Sequence, residues 1–223
     1  MLTMTGNQLS GAIPPQLGNL KKAYALFLNN NQLSGPIPAS FGGLTAMMYL
    51  HMDHNQLSGS IPPELGSLSN LRYLELQNNQ LSGSLPASLG SLSQLTKMYL
   101  DWNQFSGSIP SQFGNLTQLG YLRLNNNELT GPIPYQLGQL TRLVQLYLGD
   151  NYLTGPIPVA LGNLSSLLFF SLRGNQLSSS IPTELGNLIK LRHLDLSRNQ
   201  LTGNVPASFT NLVQLCEPGD PTF

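Results

Sequence analysis

One asparagine recurs every 24 residues through almost the whole chain, and this period constrains the fold more than any other feature. The nine positions are Asn7, Asn31, Asn55, Asn79, Asn103, Asn127, Asn151, Asn175 and Asn199. A proline column keeps the same spacing, at Pro14, Pro38, Pro62, Pro86, Pro110, Pro134, Pro158, Pro182 and Pro206. Two columns held in phase without an insertion or deletion indicate an array of structural repeats, in which each repeat packs mainly on its neighbours.

The first half of each repeat predicts a short strand followed by a turn. Residues 73–77 alternate polar and apolar side chains, which is typical of a strand with one buried face, here formed by Leu74 and Leu76. Stacked repeats would then form one parallel sheet with its outward residues on the concave side. The asparagine after the strand, Asn79, is expected to hydrogen bond the backbone of its own and adjacent turns.

The second half of the repeat predicts the return path. The glycine in Ser82-Gly83-Ser84 supplies permissive backbone angles for a bend. The short apolar position before Pro86 predicts a second, minor strand on one flank, because proline suits the end of such a strand. Residues 86–92 are expected to form one 3₁₀ or helical turn on the convex side, since a 24-residue repeat has no room for a long helix.

Composition excludes several classes of function. Ten basic and ten acidic residues give zero net charge, and only 9% of residues are charged, which argues against nucleic-acid binding and against a polybasic membrane contact. No apolar run approaches the roughly 18 residues of a membrane span. Residues 1–9 contain neither a basic nor an apolar signal segment, so we expect no signal peptide in this chain.

The run N-x-L-S/T-G-x-I-P-x-x-L-G-x-L resembles the plant class of extracellular leucine-rich repeats. That family includes receptor-kinase ectodomains, receptor-like proteins and polygalacturonase-inhibiting proteins. The resemblance implies an α/β solenoid of about nine repeats over residues 1–215, with partial first and last repeats, and an extracellular or cell-surface location. Residues 216–223 would be a degenerate cap or tail, because the family's cap often has paired cysteines and Cys216 is the only cysteine. Both ends fall inside a repeat, so we expect a fragment of a longer protein.

Four outward positions per repeat vary, and they point to a recognition surface. They contain five of the eight tyrosines and the one tryptophan, residue types that anchor protein interfaces. We expect an aromatic strip, made of Tyr49, Tyr73, Tyr99, Trp102, Tyr121 and Tyr147. The predicted ligand-binding set adds Glu75, Asp101, Arg123 and Arg173. The alternative is that ring packing across strands only stabilises the sheet.

Other chemistry is weakly encoded. Arg123 and Arg173 lie two repeats apart with Gly149 between them, where a peptide carboxylate could dock. The Arg-x-Arg pair that plant peptide receptors often carry is absent, because Asn125 stands at its second position. Residues 51–54, His-Met-Asp-His, suggest a metal site, but an ordinary wet surface is the expected outcome. No nucleophile elbow or phosphate loop is found, so we expect no catalysis, no cofactor and no metal.

Two sequons, at Asn115 and Asn163, fall in the convex-side segment and predict glycosylation. The leading interpretation is a non-catalytic module that binds a peptide or protein ligand, or a co-receptor, on its concave sheet, as in plant defence or signalling. A second interpretation is an inhibitor of a secreted cell-wall hydrolase. A third is ice or polysaccharide binding by regular polar rows, against which the interruptions by Asp53 and Trp102 argue.

Overall fold

The computed structural model describes residues 1–215, so the cap or tail predicted at 216–223 lies outside the described residues. Within them the predicted solenoid is confirmed: each 24-residue repeat contributes one strand to each of two parallel sheets and one 3₁₀ turn. The helical part of the described chain consists of 3₁₀ turns alone. About nine repeats stack in sequence order, as the asparagine period predicts.

The primary sheet corresponds to the predicted concave sheet. Its nine strands, in spatial and sequence order, are Leu2–Thr3 (β1), Ala25–Phe27 (β3), Tyr49–His51 (β5), Tyr73–Glu75 (β7), Lys97–Tyr99 (β9), Tyr121–Arg123 (β11), Gln145–Tyr147 (β13), Phe169–Ser171 (β15) and His193–Asp195 (β17). Every pairing is parallel with a register of 24, such as Leu74 opposite Met98. The strands are shorter than the five-residue alternation suggested.

The flank sheet also has nine strands, one per repeat. They are Ser10–Ala12 (β2), Gln32–Gly35 (β4), Gln56–Gly59 (β6), Gln80–Ser84 (β8), Gln104–Gly107 (β10), Glu128–Pro132 (β12), Tyr152–Pro156 (β14), Gln176–Ser180 (β16) and Gln200–Thr202 (β18). The prediction of a flank strand is correct, but its position was wrong. The strand precedes the apolar residue before proline, because the x-L-S/T-G segment makes the ladder bonds.

The 3₁₀ turns follow the prolines and pack closely between repeats. They are Pro15–Asn19, Ala39–Gly43, Pro63–Ser67, Ala87–Ser91, Ser111–Asn115, Tyr135–Gln139, Val159–Asn163, Thr183–Asn187 and Ala207–Asn211. A Cβ atom on Gly114 would lie 2.6 Å from the backbone oxygen of Gln136 in the next repeat. Glycine at this position is therefore required by the close approach of turns. Thr210 replaces it in the last described repeat, where no further described turn lies against it.

The core is a row of stacked leucines. Leu74, Leu76 and their equivalents in the central repeats are fully buried, as the alternation predicts. Burial falls toward the last described repeats, where Leu194, Leu196 and Leu201 are only partly covered. Each layer is thus covered by the layers beside it, which is the expected behaviour of a solenoid.

The asparagine column forms the predicted ladder. Asn127 Nδ2 donates to the carbonyl of Leu100 in the preceding repeat at 3.1 Å and to that of Leu124 in its own repeat at 3.1 Å. Its Oδ1 accepts a bond from the backbone N–H of Phe105 at 3.0 Å. The same pattern recurs at other repeats, for instance at Asn79. Each asparagine therefore satisfies buried backbone groups of two adjacent repeats.

We predict that Asn127→Ala lowers the free energy of unfolding by about 3 kcal/mol or more, because it leaves several buried backbone groups without partners. Urea denaturation followed by circular dichroism measures the change. The matched control is Asn115→Ala, at an exposed position, with an expected effect of about 0.5 kcal/mol or less. Equal losses in both variants would contradict the ladder's role.

Ser179 replaces a glycine in a left-handed turn. Its φ is +69°, while the equivalent glycines, such as Gly155 at +77°, carry no Cβ penalty. We predict that Ser179→Gly raises the free energy of unfolding by up to about 1 kcal/mol, since relief of the left-handed strain exceeds the entropy that glycine adds to the unfolded chain. Gly155→Ser should lower it by a similar amount, and the pair is measured by urea denaturation. A stabilising Gly155→Ser would refute this explanation.

Candidate recognition surface

Parallel register aligns the outward side chains of the primary sheet into rows. The first row runs along Tyr49, Tyr73, Lys97, Tyr121 and Gln145. The second runs along His51, Glu75, Tyr99, Arg123 and Tyr147. A third row follows just after the strands and contains Asp53, Gln77, Asp101, Asn125 and Gly149. Five of the six residues of the predicted aromatic strip stand in the first two rows.

Lysine and tyrosine side chains interlock at the centre of this surface. The rings of Tyr49 and Tyr73 meet edge to face with centroids 5.1 Å apart. The Lys97 ammonium lies 4.8 Å from the Tyr73 centroid, 5.1 Å from that of Tyr99 and 6.0 Å from that of Tyr121. Such cation–π contacts hold both the rings and the charge in place.

Arg123 extends the same arrangement toward the later repeats. Its guanidinium carbon lies 4.5 Å from the Tyr99 ring centroid and 5.5 Å from that of Tyr147. Its Nε donates to Gln145 Oε1 at 2.7 Å. The structure thus brings Tyr99, Arg123 and Tyr147 together as predicted. Lys97 and Gln145 join them, although they were not in the predicted set, because a search for aromatic and arginine residues passes over them.

Trp102 stands apart from the rest of the strip. It lies in the turn after the strand, with φ at +54°, and not on the strand. Its side chain is 56% exposed, whereas the strand tyrosines are half-buried, apart from Tyr121 at 39%. Asparagine occupies the equivalent left-handed position at Asn78 and Asn126. A bulky residue there is strained by about 1 kcal/mol or more, so this exposed ring is held at an energetic cost.

Asp101 does not present its carboxylate to solvent, contrary to our expectation. It is only 6% exposed, and its Oδ1 has no hydrogen-bond partner among the described residues. Burial raises the pKa of Asp101, and the Arg123 charge offsets part of that rise. The same row contains further buried oxygens without a partner there, on Asp53, Gln77 and Asn125. The row is therefore a line of poorly satisfied acceptors beneath the aromatic rows.

Glu75 is engaged within the surface. Its Oε1 lies 3.3 Å from Lys97 Nζ, and its Oε2 lies 3.4 Å from His51 Nδ1. Asp53 Oδ2 pairs with His54 Nδ1 at 2.9 Å. Donor atoms of His51, Asp53 and Glu75 all lie within 4.8 Å of one another, which makes them the one group of metal-ligand type among the described residues. Our sequence analysis missed this group because Glu75 comes from the neighbouring strand.

Arg123 and Arg173 do not converge on one cavity. A pocket of about 340 Å³ surrounds Arg173 and contains Gly149, as predicted, but Arg123 does not line it. Its walls include Asp150 and Asp195, and Arg173 Nη1 lies 3.8 Å from Asp195 Oδ2. The desolvation of Asp195 is outweighed by hydrogen bonds from Ser197 and by the Arg173 charge, which hold its pKa below the ordinary value. This acidic lining is poorly suited to capture of a carboxylate.

The two sequons lie away from the primary sheet. Asn115 and Asn163 each end a 3₁₀ turn and are exposed. Tyr135 and Tyr152 are further exposed tyrosines of the chain, the first in a 3₁₀ turn and the second in a flank strand. Across the described residues, no helix has the length and apolar content needed to cross a membrane.

We predict that Asp101→Asn stabilises the fold at pH 7 and not at pH 3. Burial raises the folded-state pKa, so the carboxyl is neutral and costs nothing extra at low pH. As the pH rises through that pKa, the buried charge lowers stability by about 1.4 kcal/mol for each unit of the shift. Urea denaturation at both pH values measures the gain, with the exposed Asp150→Asn as control. A gain that is equal at pH 3 and pH 7 would disprove the burial argument.

Comparisons with known proteins support the fold throughout the chain. A family described as a leucine-rich repeat region matches residues 55–156, and one described as a leucine rich repeat matches 24–44, 166–188 and 190–212. No curated protein sequence matches the chain. Many solved structures do, and three of them illustrate the range of relatives.

A TDR receptor crystal structure matches with a TM-score of 0.92 and 33% identity, over 94% of this chain and 36% of that one. The Arabidopsis receptor kinase HAESA, in complex with the peptide hormone IDA and the co-receptor SERK1, matches with a TM-score of 0.87 and 38% identity, over 92% of this chain and 35% of that one. A plant ice-binding protein matches with a TM-score of 0.70 and 30% identity, over 92% of this chain and 74% of that one.

The chain therefore spans about a third of the length of the two receptors and three quarters of that of the ice-binding protein. Its repeats match both family models and superpose on plant receptor ectodomains at more than 30% identity. On these grounds the chain belongs to the plant extracellular leucine-rich repeat proteins.

Proposed function

We propose that this chain is a non-catalytic recognition module that binds a peptide or protein ligand on its primary sheet. The observation that carries the proposal is the interlocked surface of Tyr73, Lys97, Tyr99, Arg123 and Tyr147. Its partly exposed tyrosines and its arginine are the residue types that dominate the energetics of protein interfaces. The neighbouring tryptophan adds an exposed ring.

Preorganisation favours this surface for binding. Each ring and each cation is already held by neighbours on adjacent strands, so little side-chain entropy is lost when a ligand docks. Adjacent strands are about 4.8 Å apart, so a ligand of modest length meets several rows at once. Cross-strand packing alone explains the half-buried rings. It does not explain the exposure of Tyr121 and Trp102.

The strain at Trp102 supports a functional role. An asparagine would occupy this left-handed position at lower cost, as it does in other repeats. Strained residues persist where the surrounding structure forces them, and they cluster at ligand-binding sites. Trp102→Asn is therefore expected to keep or increase stability while it removes a binding ring.

Relatives support the class of ligand and the location. HAESA is described in complex with a peptide hormone and a co-receptor, and further neighbours are peptide hormone receptors in complex with their ligands. By this likeness we place the present chain outside the cell, with a peptide, a co-receptor or a secreted hydrolase as partner. Glycosylation at Asn115 and Asn163 fits this location, since both lie on the convex side and leave the primary sheet clear.

Ice binding is the second candidate, and two observations favour it. The chain covers 74% of a plant ice-binding protein at 30% identity. The flank sheet also carries one hydroxyl per strand at a constant repeat, on Ser10, Ser34, Ser58, Ser82, Ser106, Thr130, Thr154, Ser178 and Thr202. A regular row is what lattice matching requires, whereas the rows of the primary sheet are irregular. Inhibition of ice recrystallisation by the wild type, lost when Ser106→Tyr interrupts the hydroxyl row, would select this candidate.

The main proposal predicts which surface peptides select. A phage-displayed library of random 12-residue peptides is selected on immobilised wild-type protein, and enriched peptides are measured by fluorescence polarisation. We expect Trp102→Asn combined with Tyr121→Ala to weaken their binding at least about tenfold, because each lost anchor costs about 1 kcal/mol or more.

The matched control is Tyr135→Ala combined with Tyr152→Ala, which removes two exposed tyrosines outside the primary sheet. These control substitutions should leave the affinities unchanged. Circular dichroism and urea denaturation verify that both variants are folded. Peptides that bind the primary-sheet variant as tightly as the wild type, or that lose affinity only in the control, would refute the proposal.

A further inference from the structure

We propose that His51, Asp53 and Glu75 form a binding site for a zinc ion at the edge of the aromatic surface. His51 and Glu75 stand opposite each other on adjacent strands β5 and β7. Asp53 follows His51 by two residues and so shares its face. Donor atoms of the three side chains lie within 4.8 Å of one another. Backbone register, and not a loop, therefore brings the group together.

Unpartnered buried atoms point to a ligand at this place. Asp53 is 5% exposed, and its Oδ1 exposes less than 1 Å² with no hydrogen-bond partner among residues 1–215. His51 Nε2 is in the same condition. An unsatisfied buried acceptor costs about 1–3 kcal/mol, more when it is charged, so a native group of this kind requires an explanation.

A metal ion explains these atoms better than water does. A water molecule stays about 2.8 Å from an oxygen, whereas zinc approaches to about 2.1 Å and fits where water does not. One imidazole and two carboxylates form a donor set that suits zinc, while calcium prefers six or more oxygens. Tetrahedral donors lie about 3.4 Å apart around zinc, so torsions of these side chains must draw them together by about 1 Å.

The protonation state and the neighbours of the site are compatible with a metal. Burial lowers the pKa of His51, an effect that the charges of Glu75 and Asp53 oppose, and metals bind the neutral imidazole. His54 holds the other oxygen of Asp53 at 2.9 Å, which orients the carboxylate as an outer-shell partner does. With three protein ligands, zinc keeps an open coordination position.

Lys97 is the competitor of the metal. Its ammonium lies 3.3 Å from Glu75 Oε1 and neutralises one of the two carboxylates. The same ammonium lies over the rings of Tyr73 and Tyr99, so it retains partners when Glu75 turns toward a metal. This competition gives the site a signature that a merely adventitious carboxylate cluster lacks. Removal of the lysine charge strengthens zinc binding.

Isothermal titration with zinc chloride tests the inference on tag-free protein treated with chelating resin, without any peptide or protein partner. We expect one zinc per chain. His51→Phe, which preserves the ring packing, and Asp53→Asn should each weaken binding at least tenfold, and Lys97→Gln should strengthen it several-fold. His54→Ala should cost roughly tenfold, as outer-shell partners do. His193→Asn, on strand β17, is the matched control and should bind as the wild type does.

Three results would overturn the site. The first is unchanged affinity in His51→Phe and Asp53→Asn, with folding verified by circular dichroism. The second is loss of binding in His193→Asn, which would move the ion to the other end of the sheet. The third is calcium affinity equal to that for zinc, which would reduce the group to non-selective attraction by carboxylates. Because no partner is present, these outcomes are independent of the proposed recognition function.

Discussion

Hydrogen bonds from one asparagine side chain to two adjacent repeats hold this solenoid together. Asn127 bonds the carbonyls of Leu100 and Leu124 and accepts from Phe105, and its equivalents repeat the arrangement every 24 residues. The bonds satisfy backbone groups where the chain turns away from the primary sheet, out of reach of water. An insertion or deletion between two asparagines would break contacts in both repeats. The constant period therefore follows from this interaction.

Constant period gives constant register, and register decides what the outward surface can do. Tyr73, Lys97 and Tyr121 face one another only because each pair of strands is aligned at 24 residues. Cation–π contacts then couple the rows into a preorganised surface. The same contacts stabilise the sheet and prepare it for a ligand, so stability and recognition are not alternatives here. Exposure of Trp102 in a strained turn is the feature that stability alone does not explain.

Register also creates tension at the edge of this surface. The row of Asp53, Gln77, Asp101 and Asn125 contains buried oxygens without partners among the described residues. Two of these residues are carboxylates, and burial raises the pKa of Asp101. Such a row stores unfavourable energy that a ligand or an ion can release. The plant receptors and the ice-binding protein share the scaffold, and the identity of the outward residues distinguishes what each surface is suited to bind.

The sequence by itself determined the repeat, the two sheets, the buried leucines and the asparagine ladder, because these depend on spacing alone. It also located most of the aromatic strip, since the period assigns Tyr99 and Tyr147 to the same row. It could not show that Asp101 is buried, that Trp102 lies in a left-handed turn, or that Glu75 joins His51. Those facts depend on side-chain packing between neighbouring strands, where depth and partner are set by the whole surface. Only the tertiary structure decided them.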